Sequence, residues 1–519
     1  MNLDFKTVQT DGDFLIQRAD VTANKYFWVQ YKAVKENLKR VIILRREGDH
    51  WMAYRKIQKS SGLCQQFKTT YQISKTDKLY NYQVRAMQYL CDAVMRNGAA
   101  ADGSDTGTGK TFVALGVCRE FGFRPAVVCK KAGIAGWKRA CSYMGVNPVF
   151  IMNWEQAKSG KYSFAPRIHD PYTGKYSYHW KLPKKVMVIF DEVHLANQYT
   201  SQNYSLYVAS KGLPSLSLSA TFADRPERLQ SLFHVIGAMP IDKFKDWLVS
   251  TGTFTNAYGA EESIAAQQDM LELNKLLYPR FGYRVSYEDP EVKKHFAGRV
   301  LQTEVVSIST KNEQKQNMAY RAMMERVEKY RELGKQAEVL VADLRYRQMA
   351  ELMKSDALAE LAQEYMYEGK SVIIFVNFRD TLAYLSKLLK TRSLIYGEQE
   401  KDGVNREQVI ADFQSGKSNL ILSMVDAGGT SIDLHDLVGG HQRVSLVCPT
   451  YNPVTLQQIL GRTDRAGSKS IPIIKLVYAA NTVEEKVADS VNRKLDNIKA
   501  LNDGDLMEPD TFKMGAKIT

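Results

Sequence analysis

The chain has 519 residues, a mass of 58.9 kDa and a formal net charge of +14 at neutral pH. It is longer than one ordinary hydrophobic core, so about three folded units are expected. Hydrophobic residues make up 44% of the sequence and charged residues 25%, which excludes wholesale disorder, collagen and coiled coil. The basic balance favours a polyanionic partner such as nucleic acid.

No apolar run approaches the roughly 20 residues that a membrane-spanning helix needs. The first residues, MNLDFK, lack the apolar stretch of a secretion signal. Six cysteines occur without a C-x-x-C pair, which favours buried free thiols over structural zinc; they are Cys64, Cys91, Cys118, Cys129, Cys141 and Cys448. We therefore expect a cytoplasmic protein that is neither secreted nor bound to a membrane.

Residues 1–78 carry half of the basic excess, with 15 Lys and Arg against 8 Asp and Glu. Alternating apolar and polar residues predict short strands here, so we expect a small, basic, β-rich accessory domain. Its aromatic residues suit either a small core or the stacking of nucleic-acid bases; they are Tyr26, Trp28, Trp51 and Tyr54.

Two later parts of the chain alternate apolar runs with helical periodicity, a pattern typical of parallel α/β domains. These parts are residues 79–250 and 356–500. Between them, residues 251–355 are polar and helix-like, above all at 312–333 and 339–353. We predict an α/β protein with two parallel-sheet domains in tandem, a helical insertion, the β-rich N-terminal domain and a mobile tail over 501–519. The apolar runs expected to form strands are 126–129, 149–152, 186–190, 215–218, 372–376, 393–395, 420–422, 444–447 and 473–477.

The strongest chemical signal is a glycine-rich loop, SDTGTGKT at 104–111, before an apolar helical run. Glycines let backbone N–H groups cradle phosphates, and the N-terminus of the next helix adds positive potential. In this Walker A pattern, Lys110 reaches the β- and γ-phosphates and Thr111 ligates Mg²⁺. Ser104 stands where the pattern usually has Gly or Ala, and a side chain this small fits. The residues expected to bind ATP are Ser104, Asp105, Thr106, Gly107, Thr108, Gly109, Lys110 and Thr111.

The second signal is the apolar run 186–190, which ends on Asp191 and Glu192. Open α/β sheets bind their ligands at the carboxyl ends of the strands. Asp191 is expected to bind Mg²⁺ through water, and Glu192 to polarise the attacking water in phosphoryl transfer. Together with the lysine loop, these carboxylates predict nucleotide hydrolysis.

The third signal is the segment QILGRTDRAG at 458–467. Arg462 and Arg465 are three residues apart, so a helix would place them on one face. A guanidinium group is a rigid, permanently charged fork that suits phosphate oxygens. We expect both arginines to stabilise charge on the transferred phosphoryl group, as arginine fingers do.

Residues 161–185 interleave aromatic with basic side chains. Such interleaving suits an element that tracks a nucleic-acid strand. It suits equally a surface hairpin with its own aromatic cluster, and the sequence leaves both interpretations open. The aromatic members are Tyr162, Phe164, Tyr172, Tyr176, Tyr178 and Trp180, and the basic ones are Lys161, Arg167, Lys175, Lys181, Lys184 and Lys185.

The order and wording of these motifs resemble the motor core of superfamily 2 helicases and translocases, most closely the Swi/Snf-like branch. Tyr82 and Gln83 resemble the family's PYQ element, whose glutamine reads adenine. Residues 191–194 form a D-E-x-H box, here DEVH, and residues 217–221, SLSAT, resemble motif III. The resemblance covers residues 79–495, and every motif occurs in the expected order.

The nucleic-acid contact motifs of the family also have counterparts. Those in the first α/β part include Lys130, Lys131, Trp137 and Asn153. Motif IV resembles residues 370–382, KSVIIFVNFRDTL, and its counterparts are Asn377 and Arg379.

The remaining motifs lie in the second α/β part. Residues 427–434, AGGTSIDL, resemble motif V, 458–467 resemble motif VI, and 482–486, TVEEK, resemble the element that follows it. Asp433 stands where this branch usually has Asn, and Gly461 where it usually has Asp.

The resemblance implies two RecA-like domains that close on one ATP with its Mg²⁺. The first would supply Gln83, the 104–111 loop, Asp191 and Glu192; the second would supply Gly429, Asp433, Arg462 and Arg465. Residues implied to couple the ATP and nucleic-acid sites are His194, Ser219, Thr221 and Gln458.

We therefore expect an ATP-dependent DNA helicase or translocase that acts in replication-fork remodelling, recombination or repair, on duplex or forked DNA. The chain has no room for the large insertions of chromatin remodellers, and its small size suits a bacterial or phage-infected cell. Two alternatives stay open: an RNA helicase, and a nucleic-acid-gated ATPase that does not unwind.

Overall fold

The computed structural model divides the chain into two compact units. Unit 1 comprises Met1–Asp289 with Lys494–Glu508, and unit 2 comprises Pro290–Arg493 with Pro509–Thr519. The structure describes residues 6–11, 14–21, 43–58, 71–169, 176–255, 261–263, 266–287, 289–306, 313–333, 336–397, 399, 402–403, 405–428, 432–450, 452–465, 467–480, 482, 484, 498 and 501–502. Among these residues, no helix combines the length and the apolar composition that crossing a membrane requires.

The N-terminal part of unit 1 is a four-stranded antiparallel sheet, so the β-rich character predicted for this part of the chain is present. Its strands are β1 (Lys6–Asp11), β2 (Phe14–Asp20), β3 (Ile43–Glu47) and β4 (His50–Gln58), in the order β1-β2-β4-β3. Ala19, Val21 and Ala53 are buried, whereas Trp51 is exposed and Tyr54 half-buried. Neither aromatic side chain is therefore a fully buried core residue; Tyr26 and Trp28 lie outside the described residues.

The main sheet of unit 1 has six parallel strands in the order β14-β5-β11-β10-β6-β7. Central strands such as β10 are buried on both faces, which is why they read as unbroken apolar runs. The strands are β5 (Ala99–Asp102), β6 (Arg124–Cys129), β7 (Phe150–Asn153), β10 (Val186–Asp191), β11 (Ser215–Leu218) and β14 (Gly282–Tyr283). The helices are α1 (Asn81–Asn97), α2 (Lys110–Phe121), α3 (Ile134–Met144), α4 (Trp154–Lys158), α5 (Gln202–Val208), α6 (Gln230–Ile236), α7 (Ile241–Thr251) and α8 (Ala266–Leu277). Two hairpins complete the unit, β8 (Arg167–His169) with β9 (Tyr176–Tyr178) and β12 (Thr253–Thr255) with β13 (Glu261–Ser263).

Unit 2 has a second six-stranded parallel sheet, in the order β15-β20-β19-β16-β18-β17. This confirms the predicted α/β class with two parallel-sheet domains in tandem. The strands are β15 (Val300–Val306), β16 (Ser371–Val376), β17 (Leu394–Ile395), β18 (Leu420–Met424), β19 (Arg443–Val447) and β20 (Ile473–Ala479). The helices are α9 (Pro290–Lys293), α10 (Glu313–Glu332), α11 (Gln336–Met353), α12 (Ser355–Tyr367), α13 (Arg379–Leu388), α14 (Arg406–Gln414), α15 (Val425–Gly428) and α16 (Pro453–Leu460).

The predicted helical insertion over 251–355 is divided between the two units. Helices α10 and α11 form the expected helical pair and pack through a small core that includes Val327 and Tyr346. Residues 251–289 instead complete unit 1, because β14 pairs with β5 and α8 buries Met270 and Leu273 in the core. No sequence signal marks this strand, because β14 is only two residues long and the stretch around it is largely polar.

The C-terminal end of the described chain returns to unit 1. Leu501 is buried in the unit 1 core, and its carbonyl accepts a hydrogen bond from Asn274 at 2.5 Å. The side-chain amide of Asn502 donates to the Ala220 carbonyl at 3.1 Å. The first two residues of the tail expected to be mobile are therefore held by unit 1, Leu501 by α8 and Asn502 by the loop after β11; residues 503–519 lie outside the described residues.

Candidate active site

The glycine-rich loop joins the end of β5 to the start of α2, as the sequence predicts. Gly107 and Gly109 take left-handed backbone angles, φ 89° and 91°. A side chain at 109 would also collide with Gln83, because its Cβ would lie 2.1 Å from Nε2. Only glycine tolerates both the left-handed angle and the close contact with Gln83. Without side chains, the backbone N–H groups of the loop can approach an anion at the N-terminus of α2.

Lys110 is the first residue of α2, and its ammonium group lies inside the loop. Its Nζ donates to the carbonyl oxygens of Ser104 at 2.7 Å and Asp105 at 3.1 Å. Burial lowers the pKa of Lys110, while the charges of Asp102, Glu192, Asp191 and Asp105 oppose the shift. The ammonium group is therefore bonded to two neutral carbonyls and lies near four carboxylates. A phosphate group of a bound nucleotide can replace the two carbonyls as its partner.

Gln83 braces the back of the loop. Its side chain is buried, with Nε2 donating to the Thr108 carbonyl at 2.9 Å and Oε1 accepting from the Tyr80 backbone N–H at 3.0 Å. Tyr82 is buried as well, with 4% of its surface exposed, whereas Tyr80 is 51% exposed and stacks on it with centroids 5.8 Å apart. Of the two tyrosines, Tyr80 is therefore the one whose ring is exposed, although the resemblance assigns ATP binding to Tyr82.

The front of the loop is braced by the segment just after β14. Arg284 forms an ion pair with Asp105 at 2.8 Å and donates to the Gly103 carbonyl at 2.7 Å. The backbone N–H of Tyr287 donates to the Asp105 carboxylate at 2.8 Å, and its hydroxyl donates to the Thr106 carbonyl. No local sequence signal marks Arg284, because its partners lie about 180 residues earlier in the chain.

Asp191 and Glu192 stand at the carboxyl end of β10. Glu192 takes a left-handed backbone conformation, φ 54° and ψ 49°, which costs a residue with a side chain about 1–2 kcal/mol. Such strain concentrates at functional sites. Burial, helped by Glu192, raises the pKa of Asp191 to about 6, and Trp137 and Lys110 act against the rise.

Two tryptophans hold Asp191 from different sides. The indole N–H of Trp137, on α3, donates to Asp191 Oδ2 at 2.8 Å. The indole N–H of Trp154, the first residue of α4, donates to the backbone carbonyl of Asp191 at 3.0 Å. Both rings are buried. Trp137 is therefore buried against Asp191. A direct contact with nucleic acid would require an exposed ring.

His194 links the acidic box to the loop after β11. Its Nδ1 lies 3.1 Å from the Ser219 hydroxyl and 3.3 Å from Glu192 Oε2. Ser219 in turn donates to the Thr221 carbonyl at 2.7 Å. Burial lowers the pKa of His194 to about 4. Three of the residues expected to couple the two sites are thus joined in one chain of contacts.

The other nucleic-acid candidates of unit 1 lie at the same edge of the sheet. Lys130 follows β6 and is half-buried, and Lys131 is exposed. Asn153 ends the adjacent strand β7 and caps α4, because its side chain accepts from the Gln156 N–H at 2.8 Å.

In unit 2 the amide of Asn377 is engaged inside the fold. It donates to Glu351 at 2.6 Å and to the Pro449 carbonyl at 2.8 Å. Arg379, at the start of α13, is exposed and donates to the Gly397 carbonyl at 3.3 Å. Of the two motif IV candidates, only Arg379 faces solvent.

The arginines of 458–467 follow α16. Arg462 is buried and donates to the Ile432 carbonyl at 3.2 Å, and Gln458 is buried nearby on the helix. Arg465 pairs with Asp433 at 3.1 Å. Motifs V and VI are therefore in direct contact within unit 2; Gly429 lies outside the described residues.

A buried ion pair in unit 2 escaped sequence reasoning. Lys354, with no exposed surface, donates to both oxygens of Glu484 at 2.7 Å and to the Val477 carbonyl at 2.8 Å. Burial by itself would lower the pKa of Lys354, but neighbouring Cys448, Glu484 and Glu351 raise it above its usual value. The pair joins the TVEEK element to the turn between α11 and α12.

The site in unit 1 fits Mg²⁺ bound to a nucleotide. The hydroxyl of Thr111 and the carboxylate of Asp191 are hard oxygen donors, and Mg²⁺ prefers one or two such protein groups together with phosphates and water. Within the described residues, no group of three or more His, Cys, Asp and Glu side chains forms a protein-only metal site. The donor set therefore suits a metal that arrives with its nucleotide.

Comparisons with known proteins indicate a helicase family. Residues 353–467 match the family model described as "Helicase conserved C-terminal domain". A protein of Acanthamoeba polyphaga mimivirus named "Putative ATP-dependent RNA helicase" is 31% identical over 473 residues, which cover 85% of this chain and 86% of that protein.

Two partial relatives carry DNA-repair names. The "DNA excision repair protein ERCC-6-like" of Bos taurus is 30% identical over 145 residues, 27% of this chain and 11% of that protein. The "DNA repair and recombination protein RAD54-like" of Mus musculus is 30% identical over 129 residues, 24% of this chain and 16% of that protein. The chain is also similar to the solved "Sulfolobus solfataricus SWI2/SNF2 ATPase core in complex with dsDNA", at 16% identity over 85% of this chain and 96% of that one, with a TM-score of 0.34.

The viral relative is similar along nearly its whole length, the family model falls on unit 2, and the lysine loop and acidic pair lie together in unit 1. This chain belongs to the helicase family, and its motifs resemble those of the Swi/Snf-like branch of superfamily 2.

Proposed function

We propose that this protein is an ATP-dependent DNA helicase or translocase that acts on duplex or forked DNA in fork remodelling, recombination or repair. The observation that carries the ATPase part is the meeting of Lys110 with Asp191 and Glu192 at one edge of the unit 1 sheet. The DNA part is supported by the Swi/Snf-like branch and by the DNA-repair names of two partial relatives.

Hydrolysis starts with ATP on the 104–111 loop, where backbone N–H groups and Lys110 bind the β- and γ-phosphates. Bound Mg²⁺ supplies charge neutralisation between those phosphates. Glu192 orients a water and accepts its proton as the water oxygen bonds to the γ-phosphorus. The bond from that phosphorus to the β–γ bridging oxygen breaks, and ADP and phosphate result.

In this proposal the second unit completes the site. Arg462 and Arg465 stabilise the charge that develops on the transferred phosphoryl group, and Gly429 and Asp433 line the same side of the nucleotide. Closure and reopening of the two units then move a nucleic-acid strand in steps. Lys130, Lys131, Asn153 and Arg379 contact that strand, mainly at its phosphates, so binding is salt-sensitive and largely independent of sequence.

The second candidate is an RNA helicase, which the name of the viral relative favours. A nucleic-acid-gated ATPase without unwinding is the third. The test is the ATPase rate with duplex DNA, forked DNA, single-stranded DNA and RNA, with Glu192→Gln as the inactive control. Stronger stimulation by duplex or forked DNA supports the proposal, and stimulation by RNA alone overturns it in favour of the RNA helicase. Strand-displacement and triplex-displacement assays then separate unwinding and duplex tracking from gating.

A further inference from the structure

Between α4 and β10 runs a segment whose described residues, 158–169 and 176–185, we call the basic hairpin. These residues carry six Lys and Arg and two histidines, and the one acidic residue of the whole segment 158–185 is Asp170. So strong a separation of charge sign marks a surface for an anionic partner. Its basic residues are Lys158, Lys161, Arg167, Lys181, Lys184 and Lys185.

The inner face of the basic hairpin fixes it to unit 1. Phe164 packs on Phe150 with ring centroids 5.0 Å apart. Tyr178 is buried in the unit 1 core, and the Trp180 indole donates to the Leu206 carbonyl at 3.1 Å. These aromatic side chains are therefore structural, which answers half of the question that the sequence left open.

Other groups of the basic hairpin are exposed. Arg167 is exposed although its strand partner Tyr178 is buried, and its guanidinium lies over the ring of Tyr176, 4.0 Å from the centroid. Tyr162 is 41% exposed, and the adjacent Lys161 is exposed as well. A stacked guanidinium, an exposed aromatic ring and an exposed ammonium are the groups that contact phosphates and bases in single-strand and duplex binding proteins.

The position of these exposed groups places them near the nucleic-acid candidates. Asn153, at the carboxyl end of β7, begins the cap of α4, and that helix is only five residues long, about 7.5 Å. Gly160 follows directly, and it touches Arg167 so closely that a Cβ on it would lie 2.2 Å from the arginine Cβ. Lys161 and Arg167 therefore stand one short helix away from the edge of the sheet that carries Lys130 and Asn153.

Lys184 and Lys185 lie at the other end of the same segment. Lys185 immediately precedes β10, and its carbonyl accepts from the N–H of Arg124, the first residue of β6, at 2.9 Å. Both lysines are thus at the amino ends of the strands, opposite the active-site edge, and both are exposed. They provide a matched control within the same basic hairpin.

We propose that Lys161 and Arg167 bind the phosphate backbone of nucleic acid and extend the binding track beyond the edge of the unit 1 sheet. The inference rests on the proposed function, which supplies the nucleic acid. An acidic protein surface would fit the charge equally, but the continuity with Asn153 and Lys130 and the exposed Tyr162 favour nucleic acid.

The experiment compares two double variants of the full-length chain, Lys161→Glu with Arg167→Glu and Lys184→Glu with Lys185→Glu. Both change the net charge by the same amount. Binding of forked DNA and of RNA is followed by fluorescence anisotropy at several salt concentrations, and ATP hydrolysis without nucleic acid checks that the fold is intact. Each lost phosphate contact lowers the slope of log K against log[salt] by about 0.7–0.9.

We expect the Lys161/Arg167 variant to lose about 1.4–1.8 from that slope and at least about tenfold in affinity, with the nucleic-acid-free ATPase unchanged. The Lys184/Lys185 variant should bind almost as the parent does. Equal weakening by both variants, or none by the first, overturns the inference while the proposed function stands. If the parent protein binds neither DNA nor RNA, the proposed function itself fails.

Discussion

Lys110 of unit 1 is half-buried and Lys354 of unit 2 is fully buried, and the two lysines differ in what holds them. Lys110 of unit 1 bonds only to carbonyl oxygens among the contacts that the structure gives it, and burial lowers its pKa. Lys354 of unit 2 bonds to both oxygens of Glu484, and its pKa is raised. A cation held by neutral groups is available to an anionic ligand, whereas one neutralised by a carboxylate is part of the fold.

The same difference runs through the two sheets. Both have six parallel strands, and both carry polar side chains near one edge. At the edge of unit 1, Asp191 and Glu192 lie near Lys110, Glu192 has a left-handed backbone, and burial together with Glu192 raises the pKa of Asp191. In unit 2, Asn377 and Arg465 are already engaged by Glu351 and Asp433. The groups with perturbed acidity at the sheet edge of unit 1 therefore contrast with the polar groups of unit 2, which are held in hydrogen bonds and ion pairs.

The largest expected effect is the loss of activity in Lys110→Met. ATP hydrolysis should fall by at least about 10²–10³-fold, because the ammonium that binds the phosphates is gone. The thermal unfolding midpoint should not fall, since the change removes a half-buried charge whose desolvation is unfavourable. Steady-state ATPase rates and a melting curve check both parts. A variant that hydrolyses ATP like the parent would show that the lysine serves only the fold.

Lys354→Met should show the reverse pattern. Unit 2 should lose about 3–5 kcal/mol of stability, because Glu484 is left buried without its partner. Urea unfolding measures the loss, and the half-exposed pair of Lys475 with Glu304 offers the control: Lys475→Met should cost less than about 1 kcal/mol. Adding Glu484→Leu to Lys354→Met should restore most of the stability. If Lys354→Met is as stable as the parent, the contrast between the two lysines fails.

His194 should make the stability of unit 1 depend on pH. The unfolded chain takes up a proton on this histidine near pH 6.5, whereas the folded chain does so only near pH 4, because burial lowers its pKa to about 4. Stability should therefore fall as the pH drops from 6.5 to 4, by at most about 3 kcal/mol from this group. Unfolding free energies at pH 7.5 and 4.5, compared between the parent and His194→Asn, isolate the contribution. The same pH dependence in both proteins would contradict it.

Trp137→Phe should give the smallest effect of this series. It removes the N–H that holds the Asp191 carboxylate, and a hydrogen bond to a charged group contributes about 1.5–3 kcal/mol. We expect kcat to fall about tenfold. Trp154→Phe is the matched control, because its N–H bonds only to the backbone carbonyl of Asp191, so kcat should change less. Equal losses in the two variants would indicate general loosening rather than positioning of the carboxylate.

The contrast between the units also explains what the sequence could predict. The loop at 104–111, the acidic pair after β10 and the apolar strands are local patterns, and each was found where it was expected. Arg284 on Asp105, Trp137 on Asp191 and Lys354 on Glu484 join residues that are about 180, 54 and 130 positions apart. No local sequence pattern marks such pairs. Trp137, which the motif comparison assigns to nucleic-acid binding, therefore could not be predicted to bond to Asp191.

The central proposal is that Arg465 of unit 2 acts on the nucleotide bound by unit 1. Arg465→Ala tests it in a single-turnover experiment with bound ATP, in which binding and hydrolysis are measured separately. The account predicts that hydrolysis slows by about 10³-fold while ATP affinity changes little. Hydrolysis at the parental rate in Arg465→Ala would contradict it.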